Sequence, residues 1–265
     1  MEIKVARMDF VEHKIKNQVD YVAEEKPLHL FINQTHYVTI LCSPTQLKEL
    51  AIGYLLSEGI LRRVDEIGEI RILKGGKCQV LLKRGVDSEK RIAASQPFMR
   101  LVLTSCGSPD YWPLSKLMDR LDLPKLPLDL KVKAEVISAA VKRLNTLGDT
   151  FRKTGGVHVA ALYSANGDLL TYAEDVGRHN AVDKVIGACA IKKCDFSHSF
   201  LASSGRLTGD IVLKAARMRI PIVASLSAAL DSGIEVAKLT GLTLIGFVRG
   251  PRMNVFTSPG RIALN

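Results

Sequence analysis

Residues 200–226 read FLASSGRLTGDIVLKAARMRIPIVASL, and this stretch decides the fold class. It opens and closes on short apolar runs, 200–202 and 222–226, which are typical of buried strands. Between them apolar residues recur at helical spacing over 211–216, and Pro221 ends the helix. A strand, a helix and a second strand joined by short connections predict two parallel strands with the helix packed on their sheet.

The same order of elements continues on both sides of this unit. Apolar runs at 157–163 and 169–173 predict two strands, and an Asn-Gly pair between them favours a tight hairpin turn. Asn180 and Ser232 each precede an apolar helical pattern, so we expect both side chains to cap helices. A last strand is expected over 242–248. The second half is therefore predicted to be α/β, with a mixed sheet flanked by helices.

The first half has the pattern of a smaller α+β domain. Alternating apolar residues over 28–41 predict a hairpin that turns at 33–35. Ser43 is expected to cap the following helix, which Gly59 ends. Further strands are expected at 67–73, 78–83 and 100–104.

A proline-rich stretch separates the two halves. In DLPKLPLD, residues 122–129, two prolines three residues apart discourage any helix. We therefore predict an N-terminal α+β domain over 1–125 and a second domain, with the mixed sheet, over 126–265.

Composition limits the classes of protein to which this chain can belong. Lys and Arg outnumber Asp and Glu by 37 to 27, and the net charge of +10 favours anionic partners. A nucleotide, a phosphorylated cofactor or an acidic protein satisfies this charge, and the chain lacks the lysine-rich tail of many nucleic-acid-binding proteins. No apolar run reaches membrane-spanning length and no signal-peptide pattern opens the sequence, so we expect a cytoplasmic protein that binds neither membrane nor nucleic acid.

Polar side chains follow three of the expected strands, at the strand ends where ligands bind to sheets of this kind. The clusters are 174–184, 203–206 and 249–254, and two of them open into helices. A helix N-terminus offers free N–H groups and the positive end of a dipole, which suit a phosphate. Neither a P-loop nor a dinucleotide-binding glycine pattern is present. The clusters predict a phosphate site, although arginines at helix starts are also common as solvated surface.

Cys106 lies in the stretch TSCGSP, residues 104–109. Gly107 and Pro109 disfavour helix and sheet, so we expect an exposed thiol with some thiolate character, although an unremarkable loop cysteine has the same pattern. The other cysteines are scattered and indicate free thiols. Cys189, Cys194 and His198 have loosely metal-like spacing, but Cys189 falls on an apolar helix face, so we predict no metal site.

Four segments together carry a family resemblance. They are AEDVGRHNAVDKVIG (173–187), SSGRLTGDIVLKAA (203–216), GFVRGPRMNVFT (246–257) and LAIGYLLSEGI (50–60). The chain resembles the FdhD family, the accessory sulfurtransferases of formate dehydrogenase. The resemblance implies a second domain with a cytidine-deaminase-like fold that lacks the zinc. The sequence agrees, since Tyr172 replaces the usual ligand His and no PCxxC follows.

The resemblance also implies a function. Sulfur would pass from a cysteine desulfurase to Cys106 as a persulfide, and then to the molybdenum bis(molybdopterin guanine dinucleotide) cofactor that formate dehydrogenase requires. Cys106 matches the first cysteine of the family motif Ser-Cys-Gly-x-Cys, whereas Pro109 replaces the second. A homodimer is expected, and GDP or another guanine nucleotide is expected to mimic the bound cofactor.

The residues expected to contact the cofactor come from the three polar clusters and from the two residues that precede the third cluster. They are Asp175, Gly177, Arg178, His179, Asn180, Asp183, Lys184, Ser204, Gly205, Arg206, Phe247, Val248, Arg249, Gly250, Pro251, Arg252 and Asn254.

Two other functions remain open on the sequence. The protein could be a chaperone that binds the cofactor without reacting, with Cys106 incidental. A nucleotide deaminase is disfavoured because the zinc ligands are missing. The sequence does not choose between molybdenum and tungsten.

Overall fold

The computed structural model describes residues 1–93, 123, 126 and 129–264. Cys106, the strand expected at 100–104 and most of the stretch at 122–129 lie outside the described residues. The boundary between 125 and 126 therefore stays a prediction.

The described residues of the first half form two sheets, a helix of 11 residues and a further short helical segment at 88–93. A two-stranded antiparallel sheet that the sequence did not predict opens the chain, and a four-stranded sheet has the order β4–β3–β6–β5. The expected hairpin at 28–41 is confirmed, with Asn33 and Gln34 both at positive φ. The elements are β1 (Glu2–Asp9), β2 (Lys14–Tyr21), β3 (Lys26–Ile32), β4 (Thr35–Cys42), α1 (Leu47–Ser57), β5 (Ile67–Leu73) and β6 (Lys77–Leu82).

The second half forms the predicted mixed sheet. Its six strands have the order β13–β12–β11–β10–β8–β9, in which β10, β11 and β12 run parallel and the other pairs are antiparallel. The elements are β7 (Val132–Lys133), α2 (Ala134–Leu147), α3 (Asp149–Thr154), β8 (His158–Ser164), β9 (Leu169–Asp175), α4 (Arg178–Lys192), β10 (Ser199–Ser203), α5 (Gly209–Arg217), β11 (Ile222–Ser225), α6 (Asp231–Thr240), β12 (Thr243–Arg249), β13 (Arg252–Val255) and β14 (Ile262–Ala263).

Successive side chains along each strand point to opposite faces of the six-stranded sheet, so the sheet divides the core into two layers. Strand residues such as Leu162 and Leu201 face α4, α5 and α6, and this cluster continues without a break into α1 and the four-stranded sheet. Their neighbours Tyr163 and Phe200 face the other way and pack against α2. Both halves of the chain therefore share one hydrophobic cluster. Among the described helices, none is long and apolar enough to span a membrane.

Three of the expected helix caps are wrong. α1 begins at Leu47 with Gln46 in the cap position, and Ser43 Oγ instead accepts a hydrogen bond from the Val176 N–H. Asn180 lies inside α4, and Ser232 lies inside α6, where its Oγ accepts from the N–H of Gly209. Each side chain binds a group from a distant part of the chain, which local sequence patterns do not reveal.

Helices α1 and α4 touch backbone to backbone because two glycines face each other. A Cβ on Gly53 would lie 1.7 Å from the Asp183 carbonyl oxygen, and one on Gly187 would lie 1.9 Å from the Glu49 carbonyl oxygen. No side chain larger than hydrogen fits at either position. This crossing joins the N-terminal half to the six-stranded sheet.

Substitution of either glycine by alanine tests this crossing. We expect Gly53→Ala to lower the free energy of unfolding by about 3 kcal/mol, because the two helices must separate to admit the methyl group. Urea denaturation gives the value. Gly260→Ala, where a Cβ would meet open space, is the matched control. Equal stability of the two variants would contradict the close crossing.

Candidate functional site

The three polar clusters share one edge of the six-stranded sheet. β9 and β10 are both antiparallel to β8, so they run in the same direction, and β11 and β12 are parallel to β10. The carboxyl ends of these four strands therefore lie together. Helices α4, α5 and α6 begin at this edge and direct their free N–H groups towards it.

The first two clusters are in direct contact. A Cβ on Gly205 would lie 2.9 Å from the Cβ of Arg178, so only glycine lets the loop after β10 approach the first residue of α4. Arg206 follows this glycine and is exposed. The Nε of Arg178 is buried and has no hydrogen-bond partner among the described residues. The contact places a buried, unpaired guanidinium donor and an exposed arginine on the same edge.

His158 also lies at this edge, and no sequence pattern predicts it there. It begins β8, pairs across the sheet with Asp175, and its Nδ1 lies 3.3 Å from Ser204 Oγ. Burial lowers the pKa of this imidazole, and the nearby charges of Arg178, His179 and Arg206 lower it further. A lone histidine in a strand pattern carries no motif, so only the fold could reveal it.

His179 pairs with the first turn of the next helix. Its Nε2 forms an ion pair with Asp210 Oδ2, and Thr208 Oγ1 donates to the same carboxylate. Burial alone would raise the pKa of Asp210, but the imidazole and the local hydrogen bonds hold it well below its usual range. The pair links the starts of α4 and α5.

Asp175 and Lys184 lie in the interior, not at the edge. Both side chains are 0% exposed, and Lys184 Nζ lies 2.6 Å from Asp175 Oδ2. The Asp175 carboxylate also accepts from the N–H groups of Ser43 and Gly177 and from Asn180 Nδ2. Asn180 Nδ2 donates to the Leu41 carbonyl as well, at 2.8 Å. These contacts correct the expectation that Asp175, Asn180 and Lys184 touch a ligand: they hold the start of α4 against β4.

Asp183 belongs to a second buried network. Its carboxylate accepts from Ser57 Oγ at 2.6 Å and pairs with Lys214 Nζ at 3.0 Å, and Lys214 also binds Glu58. Burial alone would lower the pKa of Lys214, but the two carboxylates raise it, so the ammonium stays charged. Burial raises the pKa of Asp183. Asp183 therefore ties α1, α4 and α5 together rather than facing a ligand.

The third cluster lies further along the same edge. Ser225 Oγ, at the end of β11, donates to the Gly205 carbonyl in the loop after β10. The Phe247 N–H, in β12, donates to the Ser227 carbonyl in the loop after β11 at 3.0 Å. These hydrogen bonds connect the ends of β10, β11 and β12 along the edge. The Arg249 guanidinium stands 5.6 Å from the centre of the Phe247 ring. Val248 is buried, whereas the remaining members of the cluster are exposed: Phe247, Arg249, Gly250, Pro251, Arg252 and Asn254.

We name His158, Arg178, His179 and 204–206 the cationic edge. Arg178 and Arg206 supply its positive charge, and the neighbouring carboxylates Asp175 and Asp210 are already paired. Helix N–H groups, arginine forks and close-approaching glycine suit a diphosphate. No cluster of three or more potential metal ligands occurs in the described part of the chain.

Comparison with known proteins identifies the family. A model of the FdhD/NarQ family matches residues 23–263. The chain belongs to the FdhD/NarQ family. A protein named sulfur carrier protein FdhD from Sulfolobus acidocaldarius is 35% identical over the whole of both chains, and one from Shouchella clausii is 35% identical over 92% of this chain and 91% of its own. A crystal structure of a putative formate dehydrogenase accessory protein from Desulfotalea psychrophila aligns with a TM-score of 0.79 at 28% identity, over 99% of both chains. The predicted family is confirmed, while the likeness to cytidine deaminases stays a prediction.

Three of the four cysteines that the structure describes in this family member are poor nucleophiles. Cys42, Cys78 and Cys189 are buried, and Cys194 is half-buried. Burial raises the pKa of Cys42 to about 11 and that of Cys78 to about 12. Cys189 lies on the buried face of α4 and shares a hydrogen bond with Cys194. Burial likewise raises the pKa of Cys189, so the thiols of Cys42, Cys78 and Cys189 stay protonated at neutral pH and do not form the reactive thiolate.

The Asp210 pair makes stability depend on pH. Because the folded protein holds the pKa of Asp210 below its unfolded value, the carboxylate stabilises the fold above about pH 4 and loses this contribution as the pH falls further. We expect Asp210→Asn to cost about 1–2 kcal/mol at neutral pH and progressively less below pH 4. Urea denaturation at several pH values measures this. If the free energies of unfolding of wild type and Asp210→Asn differed by the same amount at every pH, the ion pair would be contradicted. The exposed Asp231→Asn, at the start of α6, serves as control.

Proposed function

We propose that this protein carries sulfur as a persulfide on Cys106, from a cysteine desulfurase to the molybdenum bis(molybdopterin guanine dinucleotide) cofactor for formate dehydrogenase. The curated relatives are named sulfur carrier proteins, and the related crystal structure is described as a formate dehydrogenase accessory protein. The proposal extends those roles to this chain. It includes a homodimer and contact with both the desulfurase and the client enzyme.

The observation that carries the proposal is the cationic edge. Each half of the cofactor contains a diphosphate diester that joins a pterin to guanosine, so the ligand offers two negative charges per half. Arg178 and Arg206 stand together at the start of α4, and the Arg178 Nε donor is unpaired among the described residues. A diphosphate would accept hydrogen bonds from these guanidinium groups and from the helix N–H groups.

The cysteine chemistry also supports the proposal. A sulfur carrier needs an accessible thiolate, and the raised pKa values of Cys42 and Cys78 disfavour both as carriers. Cys106 lies outside the described residues, and its assignment rests on the loop motif.

The transfer balances without an outside oxidant. The Cys106 thiolate attacks the outer sulfur of the desulfurase persulfide, the S–S bond of the desulfurase breaks, and its cysteine leaves as a thiolate. In the second step the cofactor, as substrate, takes the outer sulfur and Cys106 leaves as a thiolate. The two electrons that reduce this sulfur to sulfide come from the reduced metal. One cysteine is sufficient for both steps.

A cofactor chaperone is the second candidate. It is favoured by Pro109, which stands where the family motif has its second cysteine. In this function the cationic edge holds the cofactor for insertion and Cys106 does not react.

Mass spectrometry distinguishes the two functions. After incubation with a cysteine desulfurase and cysteine, we expect the wild-type protein to gain the mass of one sulfur atom and Cys106→Ser to gain none. Cys194→Ser, which removes a half-buried thiol, should behave like wild type. No gain on wild type would leave the chaperone function, and sulfur on Cys106→Ser would show that Cys106 is not the carrier.

Arg206→Ala tests the diphosphate site. Loss of an exposed guanidinium that binds phosphate should weaken GDP binding about tenfold, measured by calorimetry. Arg63→Ala removes an exposed arginine beside α1, whose C-terminal end packs on the far end of α5. This control should bind like wild type. Equal GDP affinity of Arg206→Ala and wild type would contradict a phosphate site at the cationic edge.

A further inference from the structure

His158 stands at the centre of the cationic edge. Its ring is half-buried, Arg178 and His179 approach it from α4, and Arg206 approaches it from the loop after β10. Ser204 Oγ is its hydrogen-bonding neighbour and also accepts from the Val159 N–H at 3.0 Å. The Ser204 contact uses the ring's Nδ1 atom. The ring's Nε2 atom therefore has no hydrogen-bond partner in the part of the chain that the structure describes.

The charges around His158 are unbalanced in the free protein. Asp175, the carboxylate opposite His158 in the sheet, is already paired with Lys184, and the next carboxylate along the edge, Asp210, contacts His179. Asp175 favours the protonated ring, but burial and the neighbouring Arg178, His179 and Arg206 outweigh it and lower the pKa of His158. The free protein therefore holds His158 neutral at pH 7.

A bound diphosphate reverses this balance. Its two negative charges would neutralise the arginines that repel a proton from His158, and its oxygens would accept a hydrogen bond from a charged imidazole. The ring needs no backbone movement for this change, because Ser204 Oγ can accept from Nδ1–H once the ring is charged.

We propose that His158 is a further ligand-contacting residue of the cationic edge and that its protonated imidazole binds the diphosphate. Binding of each ligand molecule is then accompanied by uptake of one proton by the protein. The inference rests on the proposed function, which supplies the ligand class. It adds a residue outside the three polar clusters and makes cofactor affinity depend on pH. Binding then tightens in acid and weakens in alkali.

The probe must not titrate in the same range. GDP-mannose is suitable because its diphosphate is a diester, as in the cofactor, and keeps its charge between about pH 6 and pH 8. Calorimetry in buffers of different ionisation enthalpy at about pH 7.5 should show uptake of about one proton by wild type and none by His158→Gln. The wild-type dissociation constant should rise up to about tenfold per pH unit above pH 6.5, and that of the variant should stay flat.

Two further variants identify the titrating group. His198→Gln removes an exposed histidine that precedes β10 and pairs with Asp195 at the opposite edge of the sheet, so it should take up a proton like wild type. Proton uptake that persists in His158→Gln but disappears in His179→Gln would assign the proton to His179 and overturn the proposal.

The wild-type protein keeps the test decisive if His158→Gln does not fold. Its imidazole resonances, followed by NMR, should show one histidine that is neutral in the free protein at about pH 7.5 and protonated in the complex. Binding without proton uptake would overturn this inference alone. Absence of GDP-mannose binding would overturn it together with the cofactor-binding part of the proposed function.

Discussion

The backbone contact between α1 and α4 is the constraint on which the rest of the structure depends. Gly53 and Gly187 allow the two helices to meet without side chains between them, so the position of α4 is set by the N-terminal half of the chain. The buried pair Asp175–Lys184 then fixes the first turn of α4 against Ser43 at the end of β4. Arg178 and His179, which begin that turn, therefore occupy positions determined by contacts between both halves.

This arrangement separates buried, paired charges in the interior from arginine charges at the edge of the sheet. Buried carboxylates each have a cation within hydrogen-bonding distance, which is what makes their burial tolerable, because an unpaired interior charge costs several kcal/mol. Arg178 and Arg206 have no such partner among the described groups and lie where three helix N-termini converge. Arginine charge without a carboxylate partner among the described residues therefore lies at this edge of the sheet, where it would favour an anionic ligand.

The sequence predicts the secondary-structure elements better than it predicts which groups each polar side chain binds. The strand–helix order over 200–248 and the turn at 33–35 depend on local periodicity and turn chemistry, and both are confirmed. Asn180 and Ser232 have the local pattern of caps but bind distant groups, and Asp175 resembles a ligand-binding carboxylate because its buried partner is not a sequence neighbour. The hairpin β1–β2 shows no apolar alternation typical of a half-buried strand, because Met8, Ile15 and other apolar residues in it are exposed. It also lies entirely before the family match, which begins at residue 23.

The most direct test of the account is a crystal structure of the protein with GDP-mannose bound. The account requires the diphosphate at the first turn of α4, with oxygens within hydrogen-bonding distance of the Arg178 and Arg206 guanidinium groups and of His158. A ligand that binds elsewhere, with Arg178 Nε still unpaired, would contradict it.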